Sequence, residues 1–184
     1  MNKSLQYLLI SFGVLLLLYI FNESQQSKYI SSIESIFDVN KNDIDKIVLK
    51  DSNGDSLSLI KSDTSWSIVN HDSLIIKDRQ IDQFWEKVIS GKYDMLMSNN
   101  STKWGKFGVD DSSGKRLSLY KDNKILVTAI FSNKGQDYSH NFYRTVGKDD
   151  VYRTSENIFY MLNTRPTYWG DKPKIVPPDS TVIK

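Results

Sequence analysis

The chain has 184 residues, with 24 Lys and Arg against 22 Asp and Glu and a formal net charge of +2. The signs alternate along the chain without the basic stripe that a nucleic-acid partner requires, so nucleic acid is excluded as a partner. Cysteine is absent, which excludes a disulfide framework and thiolate metal sites and leaves the fold to stand on its apolar core.

The first element is an uncharged run. Between Lys3 and Glu23 lie 19 residues, SLQYLLISFGVLLLLYIFN, without a single charge. As a helix rising about 1.5 Å per residue they reach roughly 28 Å, close to the hydrocarbon thickness of a bilayer. A cleaved signal peptide has the same general look, but residues 22–26 (NESQQ) offer no pair of small residues for cleavage. The reading is therefore an uncleaved anchor that meets membrane lipid. Lys3 and the amino terminus on one side place the N-terminus in the cytoplasm and the rest of the chain outside the cytoplasmic membrane. Residues 1–23 are read as transmembrane anchor, 24–43 as stalk or juxtamembrane helix, 44–172 as a single α+β extracytoplasmic domain and 173–184 as a C-terminal tail. In the stalk, Ile30, Ile33, Ile36 and Phe37 recur at helical spacing.

Strand signals open the domain. IDKIVLK (44–50) and SLSLIK (56–61) flank DSNGD, and Asn-Gly between alternating residues predicts a hairpin with a type I′ turn. Trp66, Ile68 and residues 74–76 continue in strands. The period then changes. RQIDQFWEKVIS places Ile81, Phe84 or Trp85, and Val88 on one helical face, with Asp78 at its start and Gly91 at its end. After a connector at 91–114 the order repeats: Leu117 and Leu119, a KDNK turn, residues 125–131, FYRTV, residues 151–153, and a helix over ENIFYMLN. Short turns throughout leave no room for parallel crossovers, so the predicted fold is α+β, with antiparallel β-meanders each packed by a helix and two similar halves as one possibility.

The residue types that do chemistry are sparse. His71 and His140 stand alone, without metal-ligand spacing, and no Gly-x-Ser-x-Gly elbow occurs. GVDDSSGK (108–115) differs from a phosphate loop in spacing and in its two aspartates, and Asp51, Asn53 and Asp55 lack the rest of a calcium loop. No catalytic, cofactor-binding or metal-binding residue is assigned. Trp104 and Trp169, in WGKFGVD and TYWGDK, are read as structural closures of the fold. In the alternative reading they and Asp171 are contacts to a partner or glycan.

Trp66-Ser67-Ile68 after a hairpin, a helix near Asp78, KWGKFGVD (103–110), VYR (151–153) and YWGDK (168–172) resemble the bacterial family described as domain of unknown function 4340. The resemblance spans residues 44–172. It implies a membrane-anchored protein, often encoded beside ABC-type transport or gliding components, and thus an accessory with a protein partner in a membrane complex; it supplies no catalytic residue. Two functions are expected: an extracytoplasmic interaction module of a transporter or envelope complex, which the sparse chemistry favours, or, from the aromatic residues and a carboxylate such as Asp171, a small envelope enzyme or glycan-binding domain.

Overall fold

The computed structural model describes residues 3–27, 33–133 and 137–173. Helix α1 (Lys3–Ser27) contains the uncharged run, and its window Lys3–Ile20 has a mean hydropathy of 1.7. Among the described residues it is the one helix long and apolar enough to cross a membrane. Its described side chains are exposed, Leu15 at 64 % and Leu17 at 68 %. They find no place in the core of the domain beyond it.

That domain comprises β1 (Glu34–Ser35), β2 (Lys46–Lys50), β3 (Ser56–Ser62), β4 (Ser65–Ile68), β5 (Ile75–Ile76), α2 (Asp78–Phe84), β6 (Lys92–Ser98), α3 (Trp104–Phe107), β7 (Lys115–Lys121), β8 (Lys124–Ser132), β9 (Phe142–Thr145), β10 (Val151–Thr154), α4 (Pro166–Trp169) and β11 (Gly170–Asp171). Among the described residues nine strands form one antiparallel sheet in the order β1-β6-β10-β9-β8-β7-β2-β3-β4, and β5 pairs with β11 apart from it. The meander β2–β4 meets the meander β7–β10 through β2 and β7, where Ile47 opposes Leu119 and Leu49 opposes Leu117. The α+β class with antiparallel sheet is as the sequence predicts.

Three local differences have physical causes. The connector 91–114 holds β6, which pairs with β10 and extends the sheet. Residues 33–43 hold no α-helix. Ile33 is exposed, Ile36 and Phe37 are buried at 7 % and 5 %, and the Ile36 amide donates to the Gly91 carbonyl at 2.9 Å, so this segment is laid against the sheet by burial of two residues; Ile30 lies outside the described residues. The helix expected over 156–163 is reduced to a 3-10 turn, Phe159–Met161. Asn141 Oδ1 accepts from the amides of Ile158 (2.8 Å) and Phe159 (3.1 Å), and a buried side chain thus supplies the acceptor for the turn's first donors. The two meanders therefore end differently: one runs into α2 and a π-helical turn, Trp85–Ile89, the other into the 3-10 turn.

The turns are also redistributed. At residues 51–55 only Gly54 has positive φ (93°), while Asp51 Oδ1 accepts from the amides of Asn53 and Asp55. The two-residue turn with positive φ at both positions is Asp122 (50°) and Asn123 (61°), between β7 and β8. That pair has the type I′ geometry matching the strand twist.

Two clusters of buried residues form because side chains alternate along each strand. Phe131 in β8 belongs to the larger cluster, with Ile47, Leu59, Leu119, Phe84 and Trp169; its neighbour Ile130 belongs to a smaller one, with Phe107, Val109, Phe142 and Val151.

Candidate functional site

FYRT in β9 and VYRT in β10 carry Tyr-Arg at the same place, and alternation sends the two side chains to opposite faces. Tyr143 and Tyr152 are directly opposed across the strands, their rings stacked at 5.7 Å. Tyr93 of β6 lies 4.4 Å from Tyr152, and Phe131 of β8 stacks on Tyr143 at 5.6 Å. Four adjacent strands thus carry one aromatic row on the face of the larger core. At its end the Tyr93 hydroxyl donates to Glu34 Oε2, and Tyr152 donates to Asp150 Oδ2 at 3.3 Å.

Over this row lies a groove of about 360 Å³. Ile36, Asp38, Val39, Leu126, Tyr143 and Lys148 are among the residues that line it. Burial first, and then the Glu34 carboxylate, push the Tyr93 phenol well above its usual range, and burial does the same for Tyr143. Both phenols stay neutral at physiological pH. They can donate and accept hydrogen bonds and offer apolar ring faces, which suits binding and not proton abstraction.

A second cleft, about 310 Å³, lies between the π-helical turn and residues 155–158; Lys87 and Glu156 form an ion pair at 3.3 Å beside it. Ser155 Oγ, on its wall, is buried without a hydrogen-bond partner among the described residues.

On the reverse face the arginines of the two Tyr-Arg pairs find aspartates. Arg153 binds Asp94 through two parallel hydrogen bonds of 2.9 and 2.8 Å. Arg144 is 2 % exposed, donates from Nε to the Val109 carbonyl (2.6 Å) and from Nη2 to Asp111 Oδ1 (2.7 Å), and lies 3.8 Å over the Trp104 ring. Trp104 is half-buried, and its Nε1–H donates to the Asp149 carbonyl at 3.1 Å. Gly108 ends α3 in the left-handed region at φ 67°, which turns the chain toward Val109 and Asp110. Asp110 Oδ1 accepts from the Ser112 hydroxyl and from the amides of Ser112 and Ser113, which lowers its pKa to about 2. WGKFGVD is thus a cover for the smaller core, closed around a guanidinium.

The sequence profile of the family described as Domain of unknown function (DUF4340) matches residues 66–184, more than half of the chain. The chain belongs to this family. The DUF4340 match begins in β4, so β2 and β3 lie ahead of it although β2 sits in the interior of the sheet. No curated protein and no solved structure matches the chain.

Within the DUF4340 domain the three residues singled out from sequence do not converge. Trp169 is fully buried in the larger core, edge-on to Phe84 at 5.6 Å, and its Nε1–H donates to the Asn163 carbonyl at 2.7 Å. Trp104 packs on the smaller core. Asp171 is exposed and pairs with Lys77 at 3.0 Å. Gly170 is extended, and a Cβ there would meet Ile68 Cδ1 at 2.9 Å and the Ile75 carbonyl at 3.0 Å, so close approach of β5 is what requires it. His71 is exposed in the turn before β5, and His140 is held against Asp137 at 2.7 Å. Among the described residues no three His, Asp or Glu are grouped to hold a metal. Sequence reasoning centred on tryptophan does not reach the tyrosine row; the repeated FYRT and VYRT is the signal that points to it.

Proposed function

We propose that the chain is a single-pass protein of the cytoplasmic membrane whose domain, from β1 to β11, is an extracytoplasmic interaction module, an accessory of a transporter or envelope complex. The observation that carries this is the contrast between α1 and the rest. The domain closes two cores with its own residues, while α1 leaves Leu, Ile and Phe side chains bare over a length that fits a bilayer. A helix of that kind is stable in water only if something apolar covers it, and lipid does so along its whole length. The family resemblance supports the transporter or envelope setting, and the groove over the tyrosine row, with neutral phenols and aliphatic walls, is suited to contact and not to bond making.

The test is made on the full chain in its native membranes. Alkaline carbonate should leave it in the pellet, protease added from outside should remove the domain while an N-terminal tag survives, and crosslinking at the groove should join it to subunits of a membrane complex. Recovery of a soluble chain starting downstream of Phe21 would refute the anchor. A domain that crosslinks to nothing but lipid would refute the accessory role.

A further inference from the structure

Three phenols line the groove over the tyrosine row. Two are engaged, Tyr93 with Glu34 and Tyr152 with Asp150. The hydroxyl of Tyr143 has no hydrogen-bond partner among the described residues, although the residue is only 2 % exposed. Strands β8 and β10 flank β9, so the Tyr143 ring stands between Phe131, 5.6 Å away and 23° from parallel, and Tyr152, 5.7 Å away and 27° from parallel. With both faces covered, Tyr143 turns its edge and its hydroxyl to the groove. Unlike Ser155 Oγ, this oxygen is not sealed from solvent. Whatever fills the groove must offer it a donor or an acceptor, or leave a buried polar group unpaired.

The rest of the lining narrows the chemistry. Thr145, two residues along β9 and therefore on the same face, adds a half-buried hydroxyl that is also unpartnered among the described residues. Asp38 and Lys148 are exposed and have no ion pair there, and they add an acceptor and a donor. Between these polar groups Ile36, Val39, Leu126 and Val127 supply hydrocarbon. An anion is disfavoured, because Asp38 and Asp150 stand in the lining against Lys148 alone, with Glu34 next to Tyr93. A metal ion is disfavoured as well, since the phenols stay protonated and no three acids are grouped among the described residues. A purely apolar ligand would take water from two hydroxyls and return nothing. The ligand that satisfies every part is compact and neutral, with hydroxyl groups around an aliphatic ring, and about 360 Å³ is the size of a small-ligand site.

We propose that the groove binds a neutral saccharide, with the Tyr143 and Thr145 hydroxyls bonded to hydroxyls of the sugar and the aliphatic lining against its C–H groups. The inference rests on the reading of this groove as a surface for contact and not for bond making, and it names the ligand. A free or polymeric glycan and the sugar headgroup of a lipid share this chemistry.

The full chain in phosphocholine micelles, which carry no sugar, is titrated with glucose, N-acetylglucosamine and N,N′-diacetylchitobiose, and binding is read by saturation-transfer NMR. Saturable binding is expected. Competition by vesicles containing digalactosyldiacylglycerol assigns a lipid headgroup as the source, and persistence of the signal beside those vesicles assigns a free glycan. Tyr143→Phe removes one unpartnered oxygen and keeps the ring, so its melting temperature should match wild type while saccharide affinity falls about tenfold, the worth of one good hydrogen bond. Thr145→Val should weaken binding as well, and Tyr160→Phe, at an exposed tyrosine outside the groove, should not. Absence of saturable binding to all three sugars, wild-type affinity in Tyr143→Phe, or a melting temperature that falls with the hydroxyl overturns the proposal. Crosslinking of the groove to a membrane subunit with no saccharide binding overturns it too and leaves the accessory role standing. Saccharide binding that depends on Tyr143 where no subunit crosslinks supports it and removes only that role.

Discussion

The two faces of the sheet solve the same burial problem with different chemistry. Under α2 the core is hydrocarbon and aromatic throughout, from Ile47 and Leu119 to Phe84 and Trp169. On the reverse face a smaller set, Phe107, Val109, Ile130, Phe142 and Val151, is closed by a buried guanidinium with Trp104 above it and Asp111 beside it. An apolar core tolerates rearrangement as long as volume is kept, since dispersion and hydrophobic burial have no direction. The Arg144 arrangement does not, because a charge removed from water must be met by named acceptors at fixed places. The first face should thus respond to lost volume and the second to lost partners.

The largest effect is expected in the larger core. Trp169→Ala removes a fully buried indole and leaves the Asn163 carbonyl without its donor; the cost should be about 3–5 kcal/mol, a large share of the stability of a domain this size. Denaturant unfolding of the full chain in detergent, followed by circular dichroism, measures it. A loss below about 1 kcal/mol would mean that the indole is not a closure of this core.

Arg144 gives the sharper contrast. Asp111→Ala should cost about 1–3 kcal/mol, because the buried guanidinium loses its counter-charge but keeps the Val109 carbonyl and the Trp104 ring. Arg144→Ala should cost more, about 3–5 kcal/mol, since packing goes with the charge. The double variant should fall well short of the sum, as Asp111 has nothing buried left to pair once Arg144 is gone; additive losses would show that the pair acts independently. Trp104→Ala comes next, at about 2 kcal/mol, below the range for a fully buried Trp because this ring is half-buried. If it equals Trp169→Ala, the distinction between the two faces collapses. If it is neutral while crosslinking to a partner is lost, Trp104 is a contact residue.

The larger core is legible in the sequence because it is written in periodicity. Leu57 and Leu59, Leu117 and Leu119, and the spacing of Ile81, Phe84 and Val88 each give one apolar face, and burial follows from them. The illegible parts depend on side chains far apart in sequence. Nothing near residue 158 announces that Asn141 will accept its amide and hold the segment to a 3-10 turn, and nothing near Asp111 announces Arg144. β6 is hidden for a related reason: KYDMLMS shows no strict alternation, its five central residues are all half-buried, with Tyr93 packed on the larger core and Met97 on the smaller, and Asp94 is met across the β6–β10 pair by Arg153, 59 residues away. Of the candidate contacts, the burial of Trp169 can be foreseen from its place after a closing segment, whereas the tyrosine groove needs the register of four strands.

The smallest expected effect tests the loop that joins the two halves of the reverse-face closure. Hydrogen bonds from Ser112 and Ser113 hold the Asp110 carboxyl at a pKa of about 2, below the 3.8 it has without them. The folded protein therefore binds this proton less readily than the unfolded chain, and protonation favours unfolding. The contribution is complete above about pH 4 and is lost as the pH falls toward about 2. Asp110 is largely solvated, so screening keeps the contribution small. Wild type and Asp110→Ala should accordingly differ in melting temperature by a small, constant amount from pH 7 to pH 5, and the two curves should converge between pH 4 and pH 2. Curves that stay parallel through that window would mean that the carboxylate's charge does not hold the loop and that its turn survives on the Gly108 geometry alone.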